Sequence, residues 1–545
     1  MTGRLFAALL LVTVVFRFWL AAVFPITGDE AYFIWWGWKP DWGYYDHPPM
    51  IGWWLAALLV LNDAEWWLRL PVVLQPALLA LAVYWSMPRL IAVTRSAPGR
   101  EESSRPRPME AKSFLRRPDE RRDREERRLW AASLVLLAPV NVWNVFVTTD
   151  TPLIYFSVLS GLAWIRAARD DAPRWYLAAG LLLAGAVLSK YFAAFLGFAY
   201  LADVLRRRKA GAWAGLAITY ACTLPALALM AWWNSGNCWP NFMFNFVNRH
   251  EDAGWSLKTP LLYGLTLLYV LGPPVPWLAW KQRGAVRGDY NVGQGETGPD
   301  RSLFVTLGIL AWLPLVLFAL LSLVKQIGLH WLLSFVPFTL VWLTTRLMPT
   351  TLCRLGWFFA GFALAHMAGI LIVSRLPLEI WQRTRAYDGI VLTFEHQRLA
   401  RELQPYLQDR RSDWVLAMDG YSSAATLGYN LRHHVAVFGA ASSHARHDDL
   451  VTDFRALAGR NFMILRKSEP NLDDYRKYFR SLRADSFELR GARFWRVEGE
   501  GFDYPAYRAG VLAEVRRKYY ALPAWLPQTA CYMCDRYFPE EPCRQ

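Results

Sequence analysis

Several features are missing from this sequence, and each absence narrows its reading. No segment recurs at a fixed period, so neither a solenoid nor a transporter built from duplicated halves is indicated. No Gly-rich loop of the nucleotide-binding kind is visible. Charge is scarce, at 19% of residues. The formal net charge of +15 would suggest nucleic acid if the basic residues formed one patch. Many stand instead in short loops between apolar runs, which sets nucleic acid aside as a partner. The first apolar run, Leu5 to Phe24, also lacks a good cleavage signal. It is longer than a signal-peptide core, ends at Phe24-Pro25 and offers only Ala21-Ala22-Val23. It reads as an uncleaved anchor.

What the chain does have is apolar surface. Of 545 residues, 54% are hydrophobic and 29 are Trp, a residue that favours the lipid–water interface. The mean hydropathy of +0.14 averages two unlike regions. Up to Arg375, long apolar runs alternate with short charged loops; beyond it the chain reads as a soluble domain. Runs of ~20 apolar residues match a bilayer core. Eleven spans are expected, near 4–24, 69–92, 129–147, 151–167, 175–189, 191–205, 211–233, 260–280, 302–324, 331–345 and 356–375. The nearly continuous 175–205 stretch allows two fewer. The fold class is thus mainly α: a polytopic transmembrane bundle over 1–375, followed by an α/β domain over 376–545. In that domain short β-rich runs (Trp414–Met418, Val435–Phe438, Phe462–Arg466, Arg493–Glu498) alternate with helical patterns at Asp448–Leu457 and Ala506–Lys518.

The loops sort by charge. With the N-terminus in the cytoplasm, the loops 93–128, 166–174, 206–210, 281–301 and 346–355 share that side and carry Arg206-Arg207-Arg208-Lys209, Arg346 and Arg354. The Arg-dense 93–128 segment reads as a disordered insertion. The opposite loops are 25–68, 148–150, 190, 234–259, 325–330 and everything after 375. The 25–68 loop, rich in Trp and Tyr, reads as helices lying in the interface, where aromatic faces can also stack on sugar rings.

Polar clusters beside the apolar runs fall on this second side. They are Gly28-Asp29-Glu30, Tyr44-Tyr45-Asp46-His47-Pro48-Pro49, Thr148-Thr149-Asp150-Thr151-Pro152, Ser189-Lys190-Tyr191, Asn234 to His250, and Lys325 with His330-Trp331. Each alone has a plain explanation. Asp29 can cap a helix starting near Ala31, Asp150 precedes a first-turn Pro, Lys190 can snorkel, and His47 can be a turn residue. Their convergence on one face points instead to a single outward site. Two carboxylates with Lys and His suit a base for an acceptor and cations for a phosphate leaving group.

The order of these motifs resembles the glycosyltransferase 39/83 group, membrane enzymes of the C-type fold that include protein O-mannosyltransferases and lipid A aminoarabinose transferases. The similarity covers roughly residues 1–340. It implies a glycosyltransferase on the periplasmic face of a bacterial inner membrane. The donor would be a polyprenyl-phosphate sugar and the acceptor lipid A, another envelope glycan or a protein. It implies Asp29 as catalytic base, with Glu30 beside it. Where aminoarabinose transferases carry Glu-Lys-Pro-Pro, this chain has Asp46 and His47. The resemblance assigns those positions to a metal and to the carrier phosphate, and a divalent ion on Asp46 and His250 is the one cofactor it suggests. It further implies binding roles for Asp150, Lys190, Tyr191, Arg249, Lys325, His330 and Trp331. A transporter or flippase for a lipid-linked glycan is the second reading, and a structural subunit of a glycan-assembly machine the third. Against the transporter stand the one-sided charges, the lack of repeats and the outer domain. Cys531-x2-Cys534, Cys543 and Cys238 lie on the outer side, where a structural disulfide is expected rather than zinc.

Overall fold

A computed structural model describes residues 1–90, 110–248, 254–288, 299–407 and 414–540. Helix lies within all eleven expected spans, but the spans are not alike. Among the described residues six helices are long and apolar enough to cross a membrane: Gly3–Val23, Glu65–Met87, Asp150–Asp170, Ala210–Ser235, Ser302–Leu321 and Pro349–Val373. A seventh forms if Lys258–Leu271 and Pro274–Gln282 count together, although they bend by 93°. The bend has a local cause. Gly272 has φ +81°, its missing Cβ leaves room for the Phe359 ring, and Pro273-Pro274 cannot continue the helix. The expected spans at 175–189 and 191–205 are the 15-residue helices Pro173–Val187 and Ala193–Arg207, and 331–345 holds only a nine-residue helix, Val336–Thr344.

The insertion at 93–128 needs correction. Residues 93–109 lie outside the described residues, but 110–128 belong to the helix Glu110–Leu136. Its composition explains this. Arg and Glu are good helix formers, and they pair along the helix as Arg127–Asp123 and Arg128–Glu125. The N-terminal amine meets Glu126, and Arg127 donates to the carbonyls of Thr344 and Leu347, so the chain start and the turn after Val336–Thr344 gather at this end of the bundle.

The other end is built on a capping box. Thr27 caps the helix Gly28–Trp38 by accepting from the Glu30 amide, while the Glu30 carboxylate accepts from the Thr27 amide. The alternative role for Asp29, a helix cap, is thereby set aside: the Thr-x-x-Glu box caps the helix and leaves Asp29 exposed. Arg69 donates to both Glu30 oxygens (2.8 and 2.6 Å) and to the Ala21 carbonyl, tying the first helix to this outer one.

The C-terminal domain holds a five-stranded sheet of order β2-β1-β3-β5-β4, with β1 Trp414–Met418, β2 Ala436–Val437, β3 Asn461–Arg466, β4 Phe479–Leu489 and β5 Ala492–Phe502. β1 is parallel to β2 and β3; β5 is antiparallel to β3 and β4. The helix expected at Asp448–Leu457 breaks at Thr452-Asp453 into two short turns. The domain sits on the outer helix at close range. A Cβ on Gly28 would lie 2.0 Å from Ser422 Oγ, so the backbones of Gly28–Trp38 and Tyr421–Leu431 approach where only glycine fits.

Candidate active site

Between the bundle end and this domain lies a cavity of about 540 Å³. It is lined by Asp29, Asp46, His47, Asp150, Lys190, His330 and Trp331, together with side chains of the C-terminal domain. Asp150 opens the helix Asp150–Asp170, and Lys190 sits in the turn between Pro173–Val187 and Ala193–Arg207. The two meet at 2.7 Å, and His330 Nε2 lies 3.6 Å from the same Asp150 oxygen. Asp150 and Lys190 are only 2% and 6% exposed. Asp150 Oδ1 is buried and has no hydrogen-bond partner among the described residues. An acceptor in that state leaves a donor, from water or substrate, to be supplied.

In the same cavity Asp46 is buried; the Tyr32 hydroxyl donates to it at 3.5 Å, and His47 Nε2 lies 4.0 Å from its other oxygen. Burial, then the Asp46 charge, pushes the Tyr32 hydroxyl well above its ordinary value, so it remains a donor. The backbone of this turn is clamped by amides from the 234–248 segment. Asn241 Nδ2 donates to the Tyr44 carbonyl, Asn245 Nδ2 to that of Asp46 at 3.0 Å, and Asn248 Nδ2 to the Tyr45 hydroxyl at 3.1 Å. Asp29 differs from the other acids. It is solvent-exposed, and its Oδ1 accepts from the Tyr421 hydroxyl at 3.0 Å.

Not every expected site residue reaches this cavity. Glu30, expected beside the base, is fully buried; Arg69, the Thr27 amide and the Val147 amide saturate its carboxylate. It has no lone pair turned to the cavity, and its catalytic assignment is withdrawn. Tyr191 does not line the cavity either; its hydroxyl donates to Asn241 Oδ1 at 3.0 Å and so braces the amide clamp. Lys325 lies with Nζ 5.9 Å from the Trp331 ring, beside the cavity rather than on its wall. Arg249 and His250 lie outside the described residues, and with His250 goes the suggested metal pair with Asp46. Among the described residues no group of three or more His, Cys, Asp or Glu is placed to hold a metal ion.

Sequence reading missed Tyr421, His444 and Phe244, which line the same cavity. Tyr421 and His444 stack with centroids 5.6 Å apart. Both come from the distant C-terminal domain, and nothing in their local sequence signals the contact. The cysteines form a disulfide, Cys238–Cys531, which joins the amide-bearing segment to the C-terminal tail; Cys534 is disulfide-bonded as well. Cys543 lies outside the described residues.

Comparison with known proteins bears on the fold. A family model described as dolichyl-phosphate-mannose-protein mannosyltransferase matches residues 124–233, the segment that contains Asp150 and Lys190. Among solved structures, ArnT from Cupriavidus metallidurans in the apo state is similar with a TM-score of 0.56 at 16% identity, covering 91% of this chain and 97% of that one. No curated protein sequence matches the chain significantly. The fold and the apolar helices thus define a multi-pass membrane protein of the C-type glycosyltransferase fold with a C-terminal domain. Within that class the chain resembles the protein mannosyltransferase and ArnT group, as its motifs imply.

Proposed function

We propose that this membrane glycosyltransferase moves a sugar from a polyprenyl-phosphate carrier to a hydroxyl-bearing envelope acceptor, on the periplasmic face of a bacterial inner membrane. Lipid A, another envelope glycan or a protein would be that acceptor. The observation that carries the reading is a single cavity lined by an exposed carboxylate, Asp29, and by a buried Lys190–Asp150 pair that the exposed His330 ring approaches. Asp29 takes the proton of the acceptor hydroxyl. The acceptor oxygen attacks the anomeric carbon, the bond from that carbon to the phosphate oxygen breaks, and the phosphate leaves with the electron pair. Lys190, His330 and His47 stabilise the charge that collects on the departing polyprenyl phosphate. Asp150 positions Lys190 and His330 for this, while Tyr421 aims Asp29. Asp29 then returns its proton to solvent.

The test is transfer by the purified protein from a synthetic polyprenyl-phosphate sugar, with mass spectrometry of envelope glycolipids and glycoproteins to identify the product. Asp29→Asn is expected to lower turnover about a hundredfold or more, as loss of a general base does, with unfolding temperature and carrier binding retained. Near-normal transfer by that variant would refute the assignment.

A further inference from the structure

Tyr32 and Tyr421 line the catalytic cavity and also a second one, of about 380 Å³, which the transfer mechanism leaves unused. That size is within the range of small-molecule sites. One wall comes from the outer helix and the loop after it, through Tyr32 and Trp35, with Lys39 at the rim; the facing wall comes from the C-terminal domain, through Tyr421, His434, His447 and Asp448. The aromatic side is rigid. Trp36 stacks on Tyr44 at 4.1 Å, and the His447 ring stands edge-on to Tyr32, Trp36 and Tyr44.

The polar side is built but unevenly satisfied. Asp448 is fixed by the Val437 amide and the Thr452 hydroxyl, both at 2.9 Å, and His434 Nε2 is 3.0 Å from the same hydroxyl. His447 makes no hydrogen bond from either ring nitrogen among the described residues, and its Nδ1 is buried. Burial, then Lys39, lowers His447 to about 3 and His434 to about 4, so both imidazoles are neutral near physiological pH. A neutral imidazole offers one donor and one acceptor but no charge. Aromatic faces with neutral imidazoles suit a hydroxyl-rich ring, and the Asp41 and Asp448 carboxylates, which outnumber Lys39, disfavour a phosphate, which the catalytic cavity is equipped to meet. The shared wall connects the two spaces: the Tyr421 hydroxyl bonds to Asp29 and that of Tyr32 to Asp46.

We propose that this second cavity is a saccharide subsite that holds an uncharged pyranose ring of the acceptor and presents the adjoining hydroxyl to Asp29. The assignment to the acceptor rests on the transfer reading; saccharide binding by the cavity does not. The experiment is saturation-transfer NMR on the full-length protein in nanodiscs, with the methyl glycosides of glucose, galactose, mannose and N-acetylglucosamine as probes. At least one glycoside is expected to receive saturation on its ring protons. Its binding should weaken roughly tenfold in Trp35→Ala, as loss of one packed aromatic contact implies, and should be unchanged in Asp29→Asn. If Trp35→Ala fails to fold, His447→Phe carries the test, with the same weakening expected from loss of the ring nitrogens. No saturation of any probe, binding as tight in Trp35→Ala or His447→Phe as in the wild type, or displacement by inorganic phosphate would overturn the subsite. Displacement by a polyprenyl-phosphate sugar, but not by polyprenyl phosphate, would move the ring to the donor and overturn the acceptor assignment. Glycoside binding without transfer in the wild type would refute the transfer reading and leave the saccharide site standing; transfer without glycoside binding would do the reverse.

Discussion

A buried lysine lies 2.7 Å from a buried carboxylate, and each partner offsets the hydration the other loses on burial. Removing one partner of the Asp150–Lys190 pair strands a charge, so Asp150→Ala should cost about 3–5 kcal/mol in stability and also lower turnover. The double variant Asp150→Leu, Lys190→Met should recover stability in thermal unfolding yet remain inactive in transfer. Recovered transfer would show that the pair only braces the fold. His447 gives a pH prediction with a definite sign. Its folded value near 3 lies below its ordinary 6.5, so the unfolded chain binds its proton first, and this group withdraws stability as pH falls from about 6.5 toward 3. Unfolding of His447→Asn across that window should depend less on pH than that of the wild type. At this scale the sequence was half legible. Asp46, His47, Asp150 and Lys190 stood out as polar groups beside apolar runs. The resemblance singles out Asp29 as base, but that Glu30 beside it is turned to a structural role was not legible, because successive helical residues point ~100° from each other and only the packing decides which one meets Arg69.

The outer helix Gly28–Trp38 carries both acids, and its two faces do different work. Glu30 closes the capping box and anchors Arg69, so Glu30→Ala should destabilise by about 3–5 kcal/mol, as loss of one partner in a buried ion pair does. In the fraction that folds, specific activity should persist, the opposite of Asp29→Asn; normal stability with lost transfer would return Glu30 to the reaction. The disulfide also acts at the level of elements, since Cys238 and Cys531 are 293 residues apart. Cys531→Ser should cost about 2–5 kcal/mol, seen as a fall in unfolding temperature that reductant reproduces in the wild type. Strands were legible where they are buried. β1 and β3 read as short apolar runs, whereas β4, an edge strand with exposed Arg, Asp, Ser and Glu residues, alternates only in two short pieces, Leu482 with Ala484 and Phe487 with Leu489, that are out of step with each other. Helix at 110–128 was missed for a related reason: low hydrophobicity was read as disorder, although the same charges pair along a helix.

Across the whole molecule, the groups that matter divide between two ends of one bundle. One end gathers the N-terminal amine with Glu126, Arg127 against the carbonyls of Thr344 and Leu347, and Arg206 with Arg207 on Asp203. The other gathers Asp29, Asp46, Asp150, Lys190 and His330 around one cavity, with the C-terminal domain closing over it. The Cys238–Cys531 bond fastens that domain to the loop beside the cavity, so both must share one compartment, and disulfides persist where the surroundings are oxidising. Basic loops favour the cytoplasmic side. These two independent rules, one from redox chemistry and one from charge, both agree with the proposed orientation. An alkaline phosphatase reporter joined after residue 450 should therefore be active, and one joined after Lys209 inactive. Thiol labelling of the intact protein should find Cys531 protected until reductant is added. A cytoplasmic reporter signal at 450 would put the cavity on the side away from a periplasmic acceptor, and the transfer reading would fall with it.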